Sequence, residues 1–142
     1  LTPVARTAGA ILRADLDLEV LGGGADADEW RMREAARASL TAVGVADGHL
    51  AIALVEEERM RDLNAAHRGV DRPTDVLSFP IDGAQPSAGP RELGDVVICP
   101  EHTADLEEAV VHGVLHLCGH DHERDDGEML SLQRRVLREL RA

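Results

Sequence analysis

The sequence predicts an α+β fold: a small mixed sheet of about four strands covered by helices, with three histidines at the end of one helix. Short apolar or alternating runs bounded by glycine and proline have the period of strands. Longer stretches with apolar residues at i, i+3, i+4 and i+7 have the period of amphipathic helices. The two kinds are interleaved with no internal repeat, and a chain of 142 residues forms one domain at ordinary core size. Residues 1–142 are therefore expected to form a single unit, with residues 1–14, where signals are weak, as a loosely attached lead-in.

The first strand is expected at Leu16, Leu18 and Val20, which alternate with Asp17 and Glu19 until the run Gly22, Gly23, Gly24 breaks it. Asp26 with Glu29 has the spacing of a capping pair, so a helix follows over about 28–43 and stops at Gly44. Its expected core face is Trp30, Ala35, Ala38 and Val43. Residues 50–55 are a short apolar strand, and the acids Glu56 to Glu58 open a helix running to about His67. Its core side is expected at Met60, Leu63 and Ala66 or His67. A third strand is signalled by Val76, Leu77, Phe79 and Ile81, and residues 82–92 are a Gly/Pro/Ser-rich connection of the kind that forms a mobile hairpin-like loop.

A fourth strand, 94–99, ends at Pro100. Thr103 is placed to cap the next helix, with Asp105 in its first turn and Leu106, Ala109, Val110, Gly113, Val114 and Leu117 on its apolar face. Gly119 is its natural stop. A last helix over about 127–140 is expected to bury Leu130, Leu132, Val136, Leu137 and Leu140.

Composition narrows the function. Hydrophobic residues at 44% with 30% charged residues exclude a chain disordered for lack of a core. No run approaches the roughly 20 apolar residues of a membrane span, and the first 20 residues lack the apolar centre of an export signal. A soluble, cytoplasmic protein is expected, with Cys99 and Cys118 reduced and packed. All 15 basic residues are arginines and the net charge is −12, so the overall field repels polyanions. Any nucleic-acid partner must be held locally, and with one tryptophan, one phenylalanine and no tyrosine there is little to build an aromatic surface for stacked bases.

The informative residues are the histidines, seven in all, five of them between positions 102 and 122. In VVHGVLHLCGHDH, His112 and His116 lie four apart, hence on one face of a helix. Gly119 then lets the chain turn back so that His122 can bring a third nitrogen. Three imidazoles suit zinc or a similar borderline ion, and three protein ligands with one place left for water is the catalytic arrangement. His120 or Asp121 can instead close the fourth position or act behind the ligands. Cys118 falls on the opposite side of the helix, and His49, His67 and His102 are isolated. The spacing also fits the metallopeptidase pattern H-E-x-x-H-x-x-G-x-x-H, except that Gly113 stands where the water-activating glutamate belongs. A peptidase would need Asp121, Glu123 or Glu128 as a substitute base.

HGVLHLCGHDH resembles the H-G-x-L-H-L-x-G-Y-D-H signature of the YbeY family of bacterial rRNA-maturation endoribonucleases. LNAAHRGVDRPTDVLSFP at 63–80 is similar to that family's L-N-x-x-x-R-x-x-x-x-P-T-D-V-L-S-F-P segment, and LGDVVICPE at 93–101 to its L-G-D strand; with its surroundings the likeness spans about 16–141. The resemblance implies zinc on His112, His116 and His122, with Arg68 as a functional residue near the metal. It implies single-strand-specific cleavage of RNA in rRNA 3′-end maturation and ribosome quality control, with ribosomal RNA and ribosomal proteins or ribosome-associated factors as partners. Neither DNA nor membrane is expected. Three features depart from the pattern: His120 replaces a tyrosine, the segment between Glu101 and His112 is shorter, and there is no lysine.

On this view Arg68 clamps a phosphate through its paired donors, and Arg59, Arg61, Arg68 and Arg72 together form a positive cleft on an acidic body. For Arg59 and Arg61 a salt-bridged helix face is the competing expectation. A metal-stabilised ribosome-assembly factor with little catalysis is the alternative from another class, and a peptidase with a relocated base the third.

Overall fold

In the computed structural model, which describes residues 16–22, 26–85 and 89–142, four strands form one sheet in the order β1-β2-β4-β3. These are β1 (Leu16–Leu21), β2 (Gly48–Leu54), β3 (Val76–Pro80) and β4 (Glu92–Ile98). The pairs β1 with β2 and β2 with β4 are parallel, while β3 runs antiparallel to β4 at the edge. Four α-helices accompany them: α1 (Asp26–Ala42), α2 (Glu57–Arg68), α3 (Leu106–Leu117) and α4 (Glu128–Leu140). A short 3₁₀ turn, Pro100–His102, follows β4. The mixed sheet covered by helices agrees with the sequence; the lead-in at 1–14 lies outside the described residues.

Alternation along the strands divides the apolar residues between two faces. Leu18, Leu50, Ile52, Val96 and Ile98 meet Met32, Ala35, Leu40, Val110, Val114, Met129 and Val136 in the main core, under α1, α3 and α4. On the other face Leu77, Val97 and Cys99 form a smaller cluster with Met60 of α2. Arg141 ties the end of α4 to the start of α3 by bonds to Asp105 at 2.6 Å and Glu107 at 3.1 Å.

Several local expectations are corrected. The buried face of α1 is Met32, Ala35, Ala36, Ser39 and Leu40, and Trp30 is 64% exposed. The stripe 32/35/36/39/40 obeys the helical period, and a face phased on Trp30 is rotated away from it. The helix already begins at Asp26, and Glu29 accepts from Arg33 at 3.0 Å; the expected capping contact of Asp26 lies outside the described side chains. In α2 the residue buried with Met60 is Asn64, whose Nδ2 donates to Arg72 O at 2.8 Å; Ala66 and His67 are exposed. The cap of α3 is Asp105, accepting from the Glu108 N–H at 3.1 Å, while Thr103 donates its hydroxyl to Cys99 O at 2.7 Å. In α4 Met129 is buried and Leu130 is 38% exposed. The described parts of the connection after β3 are tied down, with Arg91 bonding Asp47 Oδ1 at 2.6 Å and Ala84 O at 3.0 Å.

Helix α3 is buried nearly all round and lies against the β3–β4 side of the sheet. Gly113 makes the approach possible, since a Cβ there would stand 2.5 Å from Val96 Cγ1 and 3.0 Å from Val76 Cγ2. Ser78 adds a hydroxyl bond to Gly113 O at 2.6 Å. A helix-interior glycine normally costs about 1 kcal/mol relative to alanine, so close packing is what compensates here. We therefore expect Gly113→Ala to destabilise by about 1–3 kcal/mol, against its intrinsic helix propensity, as read by denaturant unfolding; a stabilised variant would show that the contact is not tight.

Across the opposite end of the sheet, His49 of β2 bonds Glu92 at 2.9 Å and Glu19 at 3.0 Å, joining three strands. Burial pulls the His49 pKa down, but the two carboxylates, with Asp17 nearby, outweigh it and the net shift is upward. A folded pKa above the unfolded value means the contribution is complete below the ordinary histidine range and fades as pH rises through the folded value. We expect the melting temperature to fall as pH climbs from about 6, and His49→Gln to flatten that slope in calorimetry; an unchanged slope would place the effect elsewhere.

Candidate metal centre and cleft

His112 and His116 project from one face of α3, and their ring centroids lie 4.8 Å apart. The chain then reverses. The Gly119 N–H bonds His116 O and the His120 N–H bonds Leu115 O, both at 3.0 Å, a Schellman closure with Gly119 in the positive-φ region at 102°. The turn brings His122 back to 5.1 Å from each of the other two rings. One ligand atom from each of the three imidazoles falls within 4.8 Å of the others, and all three residues are half-buried. This group can hold a metal ion.

The surroundings prepare the rings as ligands. His112 Nδ1 donates to Gln133 Oε1 of α4 at 2.8 Å, which leaves Nε2 as the nitrogen with a free lone pair. Burial, then the proximity of His112 and His122, lowers the His116 pKa, which favours the neutral ring that a metal ligand requires. Asp121 Oδ1 accepts from the Glu123 N–H at 3.0 Å, shaping the turn that carries His122. Asp125 accepts from the Gly127 N–H at 2.8 Å and the Met129 N–H at 2.9 Å, anchoring the same loop to α4.

The three histidines open into a cleft of about 600 Å³ whose other walls include His67, Arg68, Asp75, Ser78 and Pro80. His120 and Asp121 line it too, but the His120 ring lies outside the group of converging ligand atoms. Arg68 closes α2, where Gly69 turns the chain at φ 73°. Among the described residues it has no carboxylate partner. The positive cleft expected from four arginines is not assembled: Arg61 is paired with Asp71 at 2.9 and 3.1 Å, and of the four only Arg68 lines the cleft. The salt-bridged alternative holds for Arg61.

Two residues of the site have no local sequence signal. Gln133 is 21 residues beyond its partner His112 and reads as one more polar position on a surface helix. His67, expected to be isolated, lines the cleft beside Arg68. The other two isolated histidines pair elsewhere, His49 as described and His102 with Glu57 at 2.5 Å. Cys99 and Cys118 are free, and burial holds both thiols up, Cys118 to about 11. They are packed and poorly reactive.

The geometry also bears on the peptidase alternative. Position 113 faces Val96 and Val76 at distances that exclude even a methyl group, so a glutamate cannot stand there. Of the possible substitutes, Asp121 shapes its own turn and Glu128 accepts from the Asp126 N–H at 2.9 Å.

The profile of the family described as Endoribonuclease YbeY matches residues 25–141. A relative bearing that name from Nitrobacter hamburgensis is 42% identical over 142 residues, 80% of this chain and 75% of the relative. One from Rubrobacter xylanophilus is 47% identical over 97 residues, 66% of this chain and 69% of the relative. A Thermotoga maritima protein solved in solution superposes with a TM-score of 0.54 at 30% identity, covering 87% of this chain and 88% of that one. With matching fold, matching motifs and this degree of identity, the chain belongs to the YbeY endoribonuclease family.

Proposed function

We propose that this protein is a zinc-dependent endoribonuclease that cuts single-stranded RNA, acting in the cytoplasm on rRNA 3′ ends and in ribosome quality control together with ribosomal proteins or associated factors. The observation that carries the reading is the convergence of three imidazole nitrogens within 4.8 Å in a cleft that also holds Arg68, which has no ionic partner among the described residues. Family membership points to the same chemistry. Among the described residues, no helix is long and apolar enough to cross a membrane.

His112, His116 and His122 would hold the ion. The donor set fits it, because all three are neutral-imidazole ligands and His112 is oriented through Gln133 with Nε2 available. When bound, zinc supplies Lewis acidity toward a phosphodiester and a readily deprotonated water. Arg68 binds the phosphate, its planar guanidinium offering two parallel donors to the oxygens on which charge builds. Asp121 holds the turn behind His122, and the half-buried setting of the three rings limits the water that competes with substrate.

Two variants test the assignment. His116→Ala is expected to lose stoichiometric zinc on dialysis and to lose cleavage of single-stranded RNA; full zinc content with parental cleavage would overturn the ligand set. Arg68→Ala is expected to keep its zinc and lose about 100-fold or more in kcat/KM, the range for removing one charge-stabilising donor. Parental cleavage by Arg68→Ala would remove the clamp. Because phosphate contacts release counterions, RNA binding by the parent is expected to weaken steeply with salt.

A further inference from the structure

Benzene and indole rings are scarce in this chain, and one of them lies beneath a histidine of the cleft. Phe79 of β3 is half-buried against the small cluster of Met60, Leu77 and Val97. The exposed imidazole of His67 lies over it, with centroids 4.3 Å apart and planes tilted by 45°. Phe79 is the one phenylalanine in a sequence without tyrosine, and the one tryptophan, Trp30, is on α1 across the sheet. Among the described residues His67 makes no hydrogen bond or ion pair. Its ring is in contact with Phe79, and the residue lines the cleft.

We infer that His67, seated on Phe79, is the stacking platform for an unpaired nucleobase next to the phosphate held by Arg68, so that the cleft carries a base subsite beside the metal centre. This rests on the RNA-cutting reading above. His67 and Arg68, in the last turn of α2, both line this cleft, so the phosphate clamp and the platform serve adjoining parts of one nucleotide chain. Unstacked RNA bases are bound on aromatic and histidine rings, and such stacking tolerates any base because each has a π face. A base within a duplex has both faces occupied by its neighbours and cannot take this place. The subsite thus gives the cleft a preference for single strands, with purines favoured over pyrimidines by their larger stacking face. The nitrogens of His67 can also bond a base edge or a ribose hydroxyl.

A ring that merely shields Phe79 from water would be replaceable by any apolar side chain, and this distinguishes the two roles. The full chain loaded with zinc is assayed on a single-stranded oligoribonucleotide, and on versions with an abasic ribose at either nucleotide flanking the mapped cut. His67→Leu keeps the apolar cover and removes the stacking face, whereas His67→Trp restores a ring. His67→Leu is expected to raise KM about tenfold with kcat, zinc content and melting temperature near parental, and His67→Trp to recover most of the loss. The parent is expected to lose a similar factor on one abasic substrate, to which His67→Leu is indifferent. A parental KM for His67→Leu, failure of His67→Trp to recover, or a change confined to kcat would overturn the platform. Quenching of a 2-aminopurine oligonucleotide by the metal-free chain reads the subsite without catalysis. Quenching lost in His67→Leu, with no cleavage by the parent, would sink the endonuclease reading and keep the base subsite; no quenching by the parent would sink the subsite while leaving any cleavage to stand.

Discussion

The close approach of α3 to the sheet over Gly113 is the contact on which the metal centre depends. Any larger residue at this position would meet Val96 and Val76, and the helix would have to lift. With the helix down, His112 and His116 come out beside the edge strand β3, whose Ser78 fastens the backbone of the same glycine at 2.6 Å. The edge strand, lying antiparallel beside β4, becomes the floor of the cleft, and the end of α2 becomes its wall. One small residue thereby brings two elements distant in sequence to either side of the cleft.

A helix that carries ligands must also end where the third ligand can return. The Schellman closure at Gly119 reverses the chain within one turn and satisfies the last carbonyls of α3. The carboxylates of Asp121 and Asp125 then fix the loop by accepting backbone N–H groups. Burial acts on the Asp125 carboxyl only after the Gly127 N–H, which leads in holding its pKa down. The carboxylates of this acidic loop thus serve its backbone geometry. Orientation of the first ligand comes from farther away, through Gln133 on α4.

Electrostatically the molecule is divided. A body with net charge −12 pairs several of its described arginines with nearby carboxylates, as Arg61 with Asp71, Arg91 with Asp47, and Arg141 with Asp105 and Glu107. Arg68 is left to face the cleft. A single guanidinium beside a site for a divalent ion gives attraction that is local and short in range, with the acidic surface around it discouraging polyanions from settling elsewhere.

The strand alternation, the helical periods and the three-histidine spacing were legible in the sequence because each is set by local geometry: period two, period 3.6, and a glycine that can turn left-handed. Family membership was legible for the same reason, since its motifs are short and contiguous. The phase of α1, the exposure of Trp30, the burial of Asn64 and Met129, and the choice of Asp105 over Thr103 as cap were settled by packing, where neighbours distant in the chain decide which face is covered. So were the Gln133–His112 bond, the seat of His67 on Phe79 and the dispersal of the expected arginine group. Sequence determined the three histidines and the family motifs; the tertiary structure alone decided which other groups join them, because contact between residues far apart in the chain is fixed by how the layers stack and leaves no periodic mark in the sequence.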